Sequence, residues 1–81
     1  MQIEILFFGK ILELINKSKI VVNVDNDTQL INIINKINEK YPLLKNIQNI
    51  MYAVNNEYIY DYNIKINEND VIAYIPPISG G

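Results

Sequence analysis

The residues with the most direct chemical consequence close the sequence, as Pro76-Pro77-Ile78-Ser79-Gly80-Gly81. A terminal Gly leaves its α-carboxylate unobstructed by a side chain, and a Gly before it lets the backbone pass through a channel too narrow for a Cβ. A carboxylate is a poor electrophile as it stands. Once ATP converts it to an acyl-adenylate, a persulfide sulfur on a partner can attack the carbonyl, leaving a terminal thiocarboxylate that carries sulfur as a nucleophile. That chemistry asks for no catalytic side chain on the carrier. The alternative for two terminal glycines is a frayed end under no structural demand, and on the pair alone it is the simpler reading. Pro76 and Pro77 shift the balance, because they stiffen the chain leaving the preceding strand and project the tail as a tether of about 15 Å.

Other chemistry is narrowed by what the chain lacks. With no Cys and no His, it holds no disulfide, no thiolate metal site, no Ser-His or Cys-His pair and none of the commonest general base. A self-contained catalyst would have to run on carboxylates, Lys or Tyr, and no bound cofactor or metal is expected. The net charge is −2 and the seven cationic residues are scattered Lys, which argues against nucleic acid. Tyr58, Tyr60 and Tyr62 have the rings to stack bases, but without cations they read as amphipathic sheet residues. Glu68 and Asp70 read as a solvated turn rather than a hard-cation site. Pro76-Pro77 as a ligand for a proline-reading domain is disfavoured, since the pair adjoins a core strand.

The apolar opening from Ile3 to Phe8 is interrupted by Glu4 and follows no cationic segment, unlike a signal peptide. Nowhere do about 18 apolar residues run together as a membrane span requires. A cytoplasmic protein with no membrane partner is the expectation.

The elements that must position the tail follow from periodicity. At 81 residues, with 49% hydrophobic and 20% charged, the chain has material for one core. Residues 2–8 read as a strand, with Ile3, Ile5 and Phe7 on one side and Leu6 and Phe8 on the other. After Gly9, Lys10 to Asn16 has the spacing of a short helix through Ile11, Leu14 and Ile15. Lys19 to Asp25 reads as a second strand. The main helix carries Leu30, Ile34, Ile37 and Tyr41 on one face, is offered a cap by Asp27 or Thr28, and stops before Pro42. Ile50 to Val54 is a third strand, Asn55-Asn56 a turn, and Tyr58 to Tyr60 a short return strand. Asp61 to Asp70 reads as a loop with room for one helical turn, and Val71 to Ile75 is the last strand. The order is that of an α+β fold, a ubiquitin-like β-grasp roll: a mixed sheet of about five strands covered by one main helix. The division expected is a β-grasp domain over 1–76 and a tail over 77–81.

The residues also carry a family resemblance. Ala73-Tyr74-Ile75-Pro76-Pro77-Ile78-Ser79-Gly80-Gly81 is similar to the Phe-Phe-Pro-Pro-Val-Ser-Gly-Gly ending of molybdopterin synthase small subunits, sulfur carriers of the ubiquitin-related MoaD/ThiS-like family. Ala53-Val54-Asn55 resembles their internal Ala-Val-Asn, and Ile5-Leu6-Phe7-Phe8-Gly9-Lys10 resembles their first strand. The chain departs at Leu12, where the family has Arg before Glu13, and at Asn69-Asp70, where it has Gly-Asp. Asn is the best replacement for Gly at positive φ, so that turn is expected to survive.

The resemblance implies that a ubiquitin-activating-enzyme-like adenylyltransferase adenylates Gly81 with ATP, and that sulfur is loaded as a thiocarboxylate. Pro77, Ile78, Ser79 and Gly80 then thread into the large subunit of a heterotetrameric synthase, where the dithiolene of molybdopterin is formed. It also implies that the first and last strands lie side by side. Apolar residues on both sides of those strands would then leave one face exposed, and Leu6, Phe8, Tyr74 and Ile75 are its expected interface residues. Coverage by loops, or ordinary surface hydrophobicity, is the alternative. A carrier for another pathway, in thiamine synthesis or protein modification, and a ubiquitin-like binding module with an inert tail are the other functions open at this level.

Overall fold

Alternating side chains on the first and last strands divide the molecule into a buried face and an outer face. The structure is a computed structural model and describes residues 1–77. Its elements are β1 (Gln2–Phe7), α1 (Gly9–Ile15), β2 (Lys19–Asn23), α2 (Leu30–Lys40), a 3-10 turn (Pro42–Asn46), β3 (Met51–Val54), β4 (Glu57–Ile59) and β5 (Val71–Ile75). The strands form one sheet in the order β2-β1-β5-β3-β4. β1 and β5 run parallel, and the other neighbouring pairs are antiparallel. This is the mixed β-grasp sheet expected, with first and last strands adjacent.

The core is built in rows across the strands. Phe7, Tyr74 and Tyr52 are register partners on β1, β5 and β3. Their rings meet edge to face, with centroids 5.5 Å apart for Phe7 and Tyr74 and 4.9 Å for Tyr52 and Tyr74. Tyr62 extends the row from Tyr52 at 5.3 Å, and Tyr41 joins Phe7 at 6.0 Å. Each such pair contributes about 0.5–1.5 kcal/mol beyond its buried area. Leu30, Ile33, Ile34 and Ile37 of α2 are buried with Ile3, Ile5, Ile72 and this row in one core.

Several expectations change at the element ends. Neither Asp27 nor Thr28 caps α2; Gln29 is the N-cap, without a side-chain bond. The first helical amides are satisfied by distant backbone instead, Leu30 N–H donating to the Ile64 carbonyl at 2.9 Å and Ile31 N–H to that of Tyr62 at 2.8 Å. The loop that supplies those carbonyls contains no helical turn and is pinned by fully buried Ile66. In α1 only Ile11 is buried, and Leu14 is 38% exposed rather than facing the core. Pro42 begins the 3-10 turn that buries Leu44.

Two turns use Asn where L residues are rarely comfortable. Asn55 and Asn56 have φ of 51° and 70°, as a tight β-hairpin demands. Asn69 has φ 70°, so it fills the turn before β5 as a Gly would. Asn55 also ties these turns together. Its Nδ2 donates to Asp70 Oδ1 at 2.9 Å, its Oδ1 accepts from Val71 N–H at 3.0 Å, and Asp70 Oδ2 accepts from Asn67 N–H at 2.8 Å.

Asn55→Ala removes both side-chain bonds and puts a poor residue at positive φ. It should lower stability by about 1–3 kcal/mol, read as a reduced urea midpoint at constant slope.

A second expectation concerns alkaline pH. Burial, with Tyr62 adding to it, pushes the Tyr52 hydroxyl up to about 12, and burial, with Tyr52 adding to it, pushes Tyr74 up as well. In the unfolded chain both lose their protons near pH 10, roughly the unperturbed value. Above that the unfolded state binds fewer protons than the folded one, so stability falls as pH rises from about 10 towards 12. Tyr74→Phe keeps the ring and removes a hydroxyl that has no partner among the described residues. Urea titrations across this range should show a shallower decline for that variant, with no loss at neutral pH.

Candidate functional site

The site the sequence points to has two parts, the root of the tail and the sheet face beside it. β5 is hydrogen-bonded on both sides, and its pairing with β1 ends where Phe8 N–H donates to the Tyr74 carbonyl at 3.3 Å. Pro76 and Pro77 have no N–H with which to extend a ladder, and Pro77 is exposed. The tail therefore departs from the middle of the sheet. Gly81, Gly80, Ser79 and Ile78 lie outside the described residues.

The outer face has its own row. Leu6, Ala73, Ala53 and Tyr58 are register partners across β1, β5, β3 and β4. Small residues on the neighbouring β5 and β3, flanked by larger ones on β1 and β4, make a shallow hollow of about 180 Å³, lined also by Phe8, Asn56, Val71 and Ile75. Phe8 and Tyr58 form its exposed flanks, at 46% and 51% accessibility. Ile75 belongs both to the hollow and to the last rung before the prolines, so the tail begins at the margin of this apolar surface.

Three of the four expected interface residues, Leu6, Phe8 and Ile75, come together here. Tyr74 does not. It is fully buried among Phe7 and Tyr52, since neighbours along a strand point to opposite faces and Tyr74 cannot share one with Ile75. Phe8 lies just past β1, as the residue before α1, rather than within the strand. The last strand offered two apolar sides, Ile72 with Tyr74 or Val71 with Ala73 and Ile75, and the structure turns the second outward. Ala53, Asn56 and Tyr58 were missing from the expected set, because they follow only from the register. Among the described residues no three of His, Cys, Asp and Glu gather as metal ligands, and no helix is long and apolar enough to cross a membrane.

The ThiS family pattern matches residues 5–81. The chain belongs to the ThiS family. Across its length it is similar to the molybdopterin synthase sulfur carrier subunit of Dictyostelium discoideum, at 43% identity covering 99% of this chain and 96% of that one. The human protein of the same name is 32% identical, over 99% of this chain and 94% of its own. The resemblance read from the residues is thereby borne out. Among solved structures, small archaeal modifier protein 1 of Haloferax volcanii shares the fold of this ThiS-family chain, with TM-score 0.82 and 19% identity over 95% of this chain and 98% of that one. A chain from the Helicobacter pylori complex of subunits 1 and 2 of molybdopterin-converting factor matches with TM-score 0.75 and 26% identity, over the whole of both chains.

The two faces make opposite predictions. Phe8→Asp places a charge in solvent and should leave the circular dichroism spectrum and melting temperature nearly unchanged. Tyr74→Asp buries an unpaired charge at a cost of several kcal/mol, roughly what a domain of this size has in total. It should not fold.

Proposed function

We propose that this chain is the sulfur carrier subunit of a molybdopterin synthase, with the Gly81 α-carboxylate as the group that is chemically converted. Support comes from full-length similarity to sulfur carrier subunits of that name, joined to a sheet whose central strand leads directly into Pro76-Pro77-Ile78-Ser79-Gly80-Gly81. That junction carries the reading, because it puts a side-chain-poor chain end on a rigid support.

In this scheme a carboxylate oxygen of Gly81 attacks the α-phosphorus of ATP on an adenylyltransferase, and pyrophosphate leaves. A partner's persulfide sulfur attacks the acyl carbon of the adenylate and displaces AMP. A second thiol on the partner then cleaves the S–S bond of the acyl disulfide, taking the partner's sulfur into a disulfide and leaving the thiocarboxylate on Gly81. In the large subunit the thiocarboxylate sulfur attacks an oxygen-bearing carbon of cyclic pyranopterin monophosphate, and a C–S bond replaces a C–O bond as the displaced oxygen leaves as water or with its phosphate. Water attacks the thioester carbonyl, the sulfur stays on the product as one half of the dithiolene, and the Gly81 carboxylate is restored. Acid-base groups come from the partners, in keeping with a chain that has neither His nor Cys.

The hollow of Leu6, Ala73, Ala53 and Tyr58 is the docking surface in this scheme. It is apolar, shaped, and continuous with the tail root, as an interface core should be. No ATP is held by the carrier itself; the nucleotide belongs to the activating partner.

Adding one residue after Gly81 moves the carboxylate away from the reacting position and should abolish sulfur transfer while leaving the melting temperature unchanged. Transfer at the wild-type rate by the extended chain would remove the case for terminal chemistry. Phe8→Asp, folded as above, should weaken binding to the large subunit by tenfold or more, roughly the loss of one anchoring aromatic, as read by calorimetric titration.

A further inference from the structure

Gly9, the first residue of α1, lies against Pro76 at the root of the tail. The β1–β5 pairing ends at Phe7 and Tyr74, and two residues further along each chain Gly9 and Pro76 come into contact. Gly9 has φ +52°, in the left-handed region that other residues avoid, and a Cβ built on it would stand 2.8 Å from Pro76 Cγ and 3.7 Å from Cδ. The pyrrolidine ring thus occupies the space a side chain at position 9 would need. Pro76 has no N–H to hold it to a neighbouring strand. What restrains it is its own fixed φ and this packing of ring against bare backbone.

We infer that Gly9 is a positioning residue for sulfur transfer: by admitting the Pro76 ring it sets the direction in which the chain leaves the sheet at Pro77. The inference rests on the sulfur-carrier reading above. Gly81 follows Pro76 by five residues, so the point and direction from which the chain starts bound where its carboxylate can be placed, and a misplacement of about 1 Å at a reacting group can reduce a rate by up to ~10²-fold. Docking through the outer face is separate from this contact, since Gly9 does not line the hollow. The effect should therefore fall on the chemical step rather than on association.

Gly9→Asn isolates the steric part, because Asn tolerates positive φ yet brings a Cβ against Pro76. With thiocarboxylated protein and the large subunit, this variant should lose about tenfold in kcat with KM for the carrier nearly unchanged. Pro76→Ala alone, which removes both the ring and its fixed φ, should lower kcat in the same way, and adding Gly9→Asn to it should cost little more, because the Asn Cβ then meets no ring. A general weakening of the fold would instead lower the melting temperature and raise the apparent KM, and the two losses would add. Unchanged kcat in Gly9→Asn, or losses that simply add in the double variant, would overturn the inference. A nuclear Overhauser contact between Gly9 Hα and the Pro76 ring in the wild-type chain reads the packing without any sulfur chemistry, and its absence would overturn the inference as well. If that contact is present but the wild-type chain never accepts sulfur, the sulfur-carrier reading is what fails.

Discussion

The pairing of β5 with β1 on one side and β3 on the other is the constraint from which the rest of the molecule follows. A strand held by two neighbours opens only when the sheet itself opens, whereas an edge strand or a free terminus frays readily. A tail that must deliver one atom group to a partner gains a fixed origin from such a strand. The parallel β1–β5 pairing joins the two ends of the described chain, so β2, α2 and the β3–β4 hairpin are connections and cover that this central pair requires.

The sheet's two faces then divide the work. Inward, large aromatic rings at matched register, Phe7, Tyr74 and Tyr52, lock the central strands to one another and to α2. Outward, the same strands carry Ala73 and Ala53, and their small size is what makes a hollow between Leu6 and Tyr58. A one-residue slip of β5 would bring Tyr74 to the surface and Ala73 into the core. The aromatic row therefore holds the outer surface in register as well as filling the interior.

Much of this was legible in the sequence because the signals were local. The bounds of β5, the Asn55-Asn56 turn and the positive φ of Asn69 follow from β-branched runs, prolines and the tolerance of Asn for left-handed backbone. Features that depend on contacts between distant segments were not. The amides of α2 are satisfied by carbonyls of Tyr62 and Ile64 rather than by Asp27 or Thr28, and no local pattern announces that. Which side of β5 faces outward was not legible either, because Ile72 with Tyr74 and Val71 with Ala73 and Ile75 are both apolar. Nothing local to Gly9 announces Pro76, and only the contact between them shows why a side chain there would not fit.

The proposed sulfur transfer draws its acid-base groups from the partners and asks of this chain a terminal carboxylate on a supported chain end. The central claim is that this chain holds out a carboxylate that becomes a thiocarboxylate. Intact-mass spectrometry after incubation with ATP, the activating enzyme and a sulfur donor tests it most directly. The account predicts a gain equal to the difference between one sulfur and one oxygen, located by fragmentation on Gly81. An unchanged mass with competent enzymes, or sulfur located anywhere else in the chain, would contradict it.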